Sequence, residues 1–184
     1  PTEQLSEWLS HFSSALERSD FTSAMGLFHK ACYWRDLLAF TWNIKTAEGK
    51  EDIRSMLAAT VAQTVPSRWQ LAGEVTVNDD GISGWCTFET AVGRGQGHVR
   101  LKEGKCWTLF TALSELSGFE EKKGASRIAG TEHGVVKKRT SWHERKLEEE
   151  AALGYTRQPY CVIIGGGQGG IALAARFRRL DVPT

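Results

Sequence analysis

No stretch of this sequence approaches the ~20 consecutive apolar residues of a membrane-spanning helix. No charged segment followed by an apolar core opens it either, so neither a membrane anchor nor a leader is expected, and the expected location is the cytoplasm. Cysteine is scarce: Cys32, Cys86, Cys106 and Cys161 form no CxxC pair and have mostly apolar or aromatic neighbours. That pattern excludes a disulfide framework and points to buried free thiols in a reducing compartment. The 5 histidines are scattered, without HxH or HExxH spacing, so no metal site is expected. A GxSxG nucleophile elbow is missing as well. Nor is there an excess of charge of one sign: 23 Lys and Arg stand against 22 Asp and Glu, interspersed, for a net charge of +1. Neither nucleic acid nor an anionic membrane is expected as a partner.

What is present is room for one full domain and a remainder in 184 residues, since domains run about 100–200 residues. Leu5, Trp8, Leu9, Phe12 and Leu16 recur at helical spacing, with Thr2 as the expected N-cap. A short helix capped by Asp20 follows, with Phe21, Ala24, Met25 and Phe28 on one side. Tyr33 to Ile44 reads as strand, interrupted by Arg35-Asp36 and Leu37-Leu38. Gly49 opens a third helix carrying Ile53, Met56, Leu57 and Val61, which ends before Pro66. From Trp69 the period becomes two, through Leu71, Val75 and Val77 to the hairpin signal Asn78-Asp79-Asp80-Gly81. The return strand carries Ile82, Trp85, Cys86 and Phe88. Gly93 to Gly97 is expected to be a turn, His98 to Leu101 a strand, Glu103-Gly104-Lys105 a turn, and Cys106 to Leu116 the last strand. The fold class is therefore α+β: helices on one face of a curved antiparallel sheet, a cone, over 1–117. Trp42, Trp85 and Phe88 are expected in its interior.

Residues 118–157 change character. They are charged, as in Glu120-Glu121-Lys122-Lys123 and Lys137-Lys138-Arg139, and broken by Gly124, Gly130 and Gly134. This is a linker ending in a helix from Trp142 to Leu153. Residues 158–184 then hold the most specific motif. Tyr160-Cys161-Val162-Ile163-Ile164 is an apolar run of the kind buried in a parallel sheet. It leads into Gly165-Gly166-Gly167-Gln168-Gly169-Gly170, which satisfies GxGxxG at Gly165, Gly167 and Gly170, and into a helix from Ile171 to Leu180. In a dinucleotide fold the first glycine permits the tight turn, the second admits the pyrophosphate, and the third allows close helix–strand packing. The helix N-terminus adds unpaired N–H groups and the positive end of its dipole. The acid that grips the ribose is expected about 20 residues farther on, beyond Thr184. A lone strand and helix cannot cover their own apolar faces, so the chain reads as a fragment that includes only the first strand, loop and helix of a Rossmann-type FAD domain.

The run from Gln158 through Gly170 and Ile171 to Leu180, with Val182-Pro183-Thr184 after it, resembles flavin-containing monooxygenase-like oxidoreductases of bacteria and fungi. In some of these a nuclear-transport-factor-like (polyketide-cyclase-like) domain precedes the FAD domain. The stretch Trp34-Arg35-Asp36-Leu37-Leu38-Ala39-Phe40-Thr41-Trp42-Asn43-Ile44, with Gly49 and Ile53, is similar to that domain. The resemblance implies FAD held by Gly165, Gly166, Gly167, Gln168, Gly169 and Gly170, NADPH as co-substrate, and oxygenation of a small organic substrate. The second glycine fingerprint and the monooxygenase signature of that family would lie past Thr184. Asp181 stands where the family usually has glycine, a left-handed position that Asp tolerates less well. By itself the chain is expected to bind FAD weakly or not at all and to be inactive as an oxygenase.

The front domain has its own candidates for acid–base work: Asp36, His98 and His29, walled by Trp34, Trp42, Trp85 and Trp107. The bland alternative is an Arg35–Asp36 ion pair, exposed histidines and tryptophans in the core. Two functions remain open on the sequence: the front end of a flavin monooxygenase, with a homodimer as one arrangement, or a stand-alone small-molecule-binding or dehydratase/isomerase-like cone domain with a vestigial tail.

Overall fold

The computed structural model describes residues 1–127, 139–180, 182 and 184, and the chain divides into two compact units, Pro1–Gly118 and Phe119–Thr184. Gly130, Gly134, Lys137, Lys138, Asp181 and Pro183 lie outside the described residues, and with them the reading of Asp181.

In the front unit, α1 (Thr2–Glu17) buries Leu5, Trp8, Leu9, Phe12, Ala15 and Leu16, the face its spacing of threes and fours defines. Pro1 occupies the cap position rather than Thr2, with no side-chain bond. α2 (Phe21–Gly26) is capped by Asp20, which accepts the Ser23 N–H at 3.0 Å. α3 (Gly49–Thr64) stops where Val65 turns left-handed before Pro66. Six strands complete the unit: β1 (Phe28–Leu37), β2 (Ile44–Glu48), β3 (Ser67–Asn78), β4 (Gly81–Thr90), β5 (Gly93–Lys102) and β6 (Lys105–Leu116). They form one sheet in the order β2-β1-β6-β5-β4-β3. α1 lies against β3 and α3 against β1, so the helices cover one face. The α+β class is as the pattern of periods predicts.

Several details differ from the sequence reading. The sheet is mixed, not antiparallel, because β1 pairs with β6 in parallel while every other pairing is antiparallel. Side-chain alternation reports which face a residue takes, not the polarity of a pairing between strands far apart in sequence. The span Tyr33 to Ile44 is two strands and a loop: β1 begins at Phe28 and ends at Leu37, and residues 38–43 form the bend before β2. Gly93 to Gly97 is strand rather than turn, the turn being Ala91–Val92. Gly95 faces the Phe88 ring, where a Cβ would clash with Cζ and sit 2.6 and 2.8 Å from Cε2 and Cε1, and a Cβ on Gly97 would sit 2.8 Å from Cys86 Sγ. These glycines make room for inward-pointing side chains on β4. Trp42 and Trp85 are not interior residues: they are 58% and 49% exposed, whereas Phe88 is buried. Trp85 stands on the face opposite the helices, one position away from the inward Cys86.

The core is strongly aromatic. Trp8, Phe12, Phe28, Trp34, Phe40, Trp69 and Phe88 are all buried and touch in a continuous series of stacked and edge-on rings.

In the second unit, α4 (Trp142–Ala152) carries the full capping box of Ser141 and Glu144. α5 (Gln168–Arg179) begins three residues before the expected start. Glu121 holds Arg176 through two contacts of 2.6 and 3.1 Å. The expected strand at Cys161 to Ile164 is not formed: the segment has no ladder partner, and Ile164 is 96% exposed. A strand is stabilised by its neighbours, and none of the described residues pairs with it.

Candidate functional site

Alternation and register separate the acid–base candidates. Asp36 follows Trp34 by two positions, so both point from β1 to the helix-covered face, and both are fully buried. Asp36 lies opposite Thr111 on β6, and Thr111 opposite Gly97 on β5. His98 is one position on, opposite Phe110 and Trp85, on the other face of the sheet. Asp36 and His98 therefore do not form a catalytic pair. His29 lies elsewhere again, with Nε2 3.8 Å from Glu103 and Nδ1 accepting the Ala31 N–H at 3.2 Å.

The surroundings of Asp36 are those of an anchor. One carboxylate oxygen accepts the Phe40 N–H at 3.0 Å, the Thr41 N–H at 2.8 Å and the Thr41 hydroxyl at 2.8 Å. The other accepts the Thr111 hydroxyl at 2.7 Å, and that hydroxyl accepts from Trp34 Nε1 at 2.8 Å. With four donors on it, the carboxylate is committed to structure. The expected Arg35–Asp36 ion pair is not formed; Arg35 instead donates to the Thr46 hydroxyl at 3.1 Å on the opposite face. His98 stands edge-on to Trp85, with ring centroids 4.9 Å apart. Desolvation, and secondly the Arg100 charge, push its pKa below the ordinary value. Burial holds the front unit's thiols away from the thiolate form, pushing Cys86 up to about 12, Cys106 well above its usual range and Cys32 upward too, whereas Cys161 in the second unit is only half-buried, not buried as its apolar neighbours suggested.

Of the four expected wall tryptophans, Trp34 alone is fully buried. The interior is instead completed by Phe40, Trp69 and Phe88, which the acid–base reading did not single out. One polar atom there has no partner: Trp69 Nε1, buried with no acceptor within reach. On the sheet's other face is a groove of about 420 Å³ lined by Gln70, Thr87, Glu89, Arg94, Gln96 and Glu115 among others. Its arginines are matched by carboxylates, Arg94 to Glu115 at 2.9 Å and Arg68 to Glu89 at 3.2 Å. The groove thus presents a ladder of opposite charges rather than a cationic site. Among the described residues no group of three or more His, Cys, Asp or Glu could hold a metal ion, and no helix is long and apolar enough to cross a membrane.

The glycine segment has a definite local shape. Gly165 is left-handed, at φ +111°. A Cβ on Gly170 would run into the Gly165 carbonyl oxygen and would lie 3.4 Å from Ile163 Cγ2. Gly166, Gly167 and Gly169 have open space where a Cβ would stand. Gly167 caps α5 without a side-chain bond, and the first helical bond runs from Ile171 N–H to Gly167 O at 3.0 Å. The N–H groups of Gln168, Gly169 and Gly170 thus have no intrahelical acceptor.

No family model matches the chain, and no curated protein matches it. Solved structures do. A protein of unknown function with a cystatin-like fold from Nostoc punctiforme is 16% identical, with a TM-score of 0.47, over 60% of this chain and 89% of that one. An NTF2-like protein from Anabaena variabilis is 10% identical, with a TM-score of 0.48, over 61% and 88%. An NTF2-like protein of unknown function from Cytophaga hutchinsonii is 14% identical, with a TM-score of 0.39, over 58% and 87%. The architecture itself stands on the strand order and helix placement described above.

Proposed function

We propose that this chain is the N-terminal portion of a flavin-dependent monooxygenase. In this reading Gly165–Gly170 receives the FAD pyrophosphate and the front unit is a supporting domain. The observation that carries it is the close approach of Gly170 to the Gly165 carbonyl, beside three glycines with open space and a helix end with unused donors. That combination suits a pyrophosphate: the turn brings backbone N–H groups to one point, and the helix dipole favours negative charge there. FAD, reduced by NADPH, would supply the oxygen chemistry. The residues of this chain do the holding. Gly167 and Gly169 leave the space, Gly170 lets α5 start against the turn, and the N–H groups of Gln168, Gly169 and Gly170 take the charge. Asp36, His98 and His29 have no role in the oxygenation under this reading. The test is flavin content of the protein expressed from its whole reading frame. Stoichiometric FAD that is lost in Gly167→Val, with the front unit still folded by circular dichroism, supports the proposal. A flavin-free protein, or a Gly167→Val variant that keeps its flavin, refutes it.

A second reading has one observation in its favour. The unpartnered Trp69 N–H inside an aromatic interior suits a small-molecule-binding front unit, because a bound acceptor would satisfy it. The acid–base form of that reading loses its His–Asp pair. Saturation with a small aromatic ketone that leaves the Trp69 indole N–H resonance unmoved would count against binding there.

A further inference from the structure

The loop between β1 and β2 is bracketed by two left-handed residues, Leu38 at φ 67° and Trp42 at φ 53°. Neither is glycine or asparagine, so both ends of the segment Ala39–Phe40–Thr41 are strained. The loop leaves Leu38 and Trp42 in solvent while Phe40 is only 2% exposed. The Phe40 ring lies 5.0 Å from Trp34, 6.4 Å from Trp69 and 6.0 Å from Phe88, between centroids, at the middle of the aromatic interior. Its fastening is local. Three bonds run to the single carboxylate of Asp36, and one from Leu38 N–H to Asn43 O at 3.0 Å. Inside, the rings around Trp69 belong to Phe12, Phe40 and Phe88, none of which has an acceptor for its N–H.

We propose that residues 38–43 are a lid, that Phe40 is its plug, and that the ligand taking the place of Phe40 is a small flat aromatic or apolar molecule bearing one hydrogen-bond acceptor. The inference rests on the second reading, that the front unit takes a small molecule. Swinging Ala39–Phe40–Thr41 outward about Leu38 and Trp42 relieves strain at both ends and breaks the bonds to Asp36. A ring entering in place of Phe40 restores the aromatic contacts, and its acceptor gives Trp69 Nε1 the partner that the closed form lacks. Such a ligand binds only the open state and so shifts the population toward it.

The experiment is residue-by-residue amide exchange on the 184-residue chain. The probe is acetophenone, a ring with one carbonyl acceptor. Cumene, its near-isostere without an acceptor, is the control. The expected result is that acetophenone accelerates exchange at Phe40 and Thr41 with rising concentration, because it holds the lid open, while the strand amides stay protected. Cumene should need about tenfold more for the same effect, the worth of one hydrogen bond, and Trp69→Phe should abolish that difference. Protection of other front-unit amides with Phe40 and Thr41 unmoved or slowed would overturn the lid and leave small-molecule binding standing. No response from any amide of the front unit would overturn both.

Discussion

Thr111 donates its hydroxyl to Asp36 across the parallel β1–β6 pair at 2.7 Å and accepts from Trp34 Nε1 at 2.8 Å. One hydroxyl thereby ties the only parallel pairing of the sheet to the carboxylate that fixes the β1–β2 loop. Thr111→Val should cost about 1–3 kcal/mol, the range for stranding buried polar groups. Asp36→Ala should cost more, about 3–5 kcal/mol, since four donors lose their acceptor at once. The two losses should be less than additive in the double variant, as for neighbours in one network. Urea unfolding of the three variants measures this; strict additivity would mean that the two side chains are not coupled.

The glycine on β5 makes a sharper local prediction. Gly95→Ala drives a methyl group against the outer edge of the Phe88 ring and should destabilise the front unit by about 1–3 kcal/mol through overpacking. Phe88→Leu in the same chain should restore part of that loss. Thermal unfolding of the pair of variants checks it, and no rescue would place the strain elsewhere.

Val65 is an exposed β-branched residue at φ 44° and ψ 57°, closing α3 in the left-handed region. Val65→Asn keeps the cap and tolerates that conformation, so it should stabilise by roughly 1 kcal/mol. A lower melting temperature would contradict the assigned strain.

Much of the fold was legible because it rests on local periods. Leu5 to Leu16, Ile53 to Val61 and the hairpin at Asn78–Gly81 each declare themselves within a few residues. The parallel β1–β6 pairing was not legible, since its partners are 75 residues apart, as in Asp36 with Thr111. Asp36 drew notice as a charged residue in an apolar strand, but its role depends on Thr111 and on the bend at Phe40–Thr41, and no local signal marks either. Trp85 and Trp42 misled for a related reason: aromatic residues suit both faces of a sheet, and alternation from Cys86 was the better guide. The glycine loop was legible as a motif. The strand before it was not formed, because a strand needs neighbours that a local apolar run cannot supply.

His98 gives a pH prediction with a definite sign. In the unfolded chain it titrates near its ordinary value of 6.5, and in the folded chain lower, through burial and Arg100. Below 6.5 the unfolded chain therefore binds more protons, and stability falls as pH drops through the folded value. In His98→Gln that loss disappears. Stability curves of the two proteins should run parallel above the ordinary value and separate below it, with the variant the less acid-sensitive. Curves that separate above it instead would reverse the assigned direction.

The most direct test of the central claim is titration of this chain with FAD, followed by backbone amide shifts. The flavin reading predicts weak binding, with shifts concentrated at Gly165 to Ile171, reproduced by inorganic pyrophosphate and abolished by Gly167→Val. Amides of that loop that stay unmoved by both FAD and pyrophosphate would contradict it.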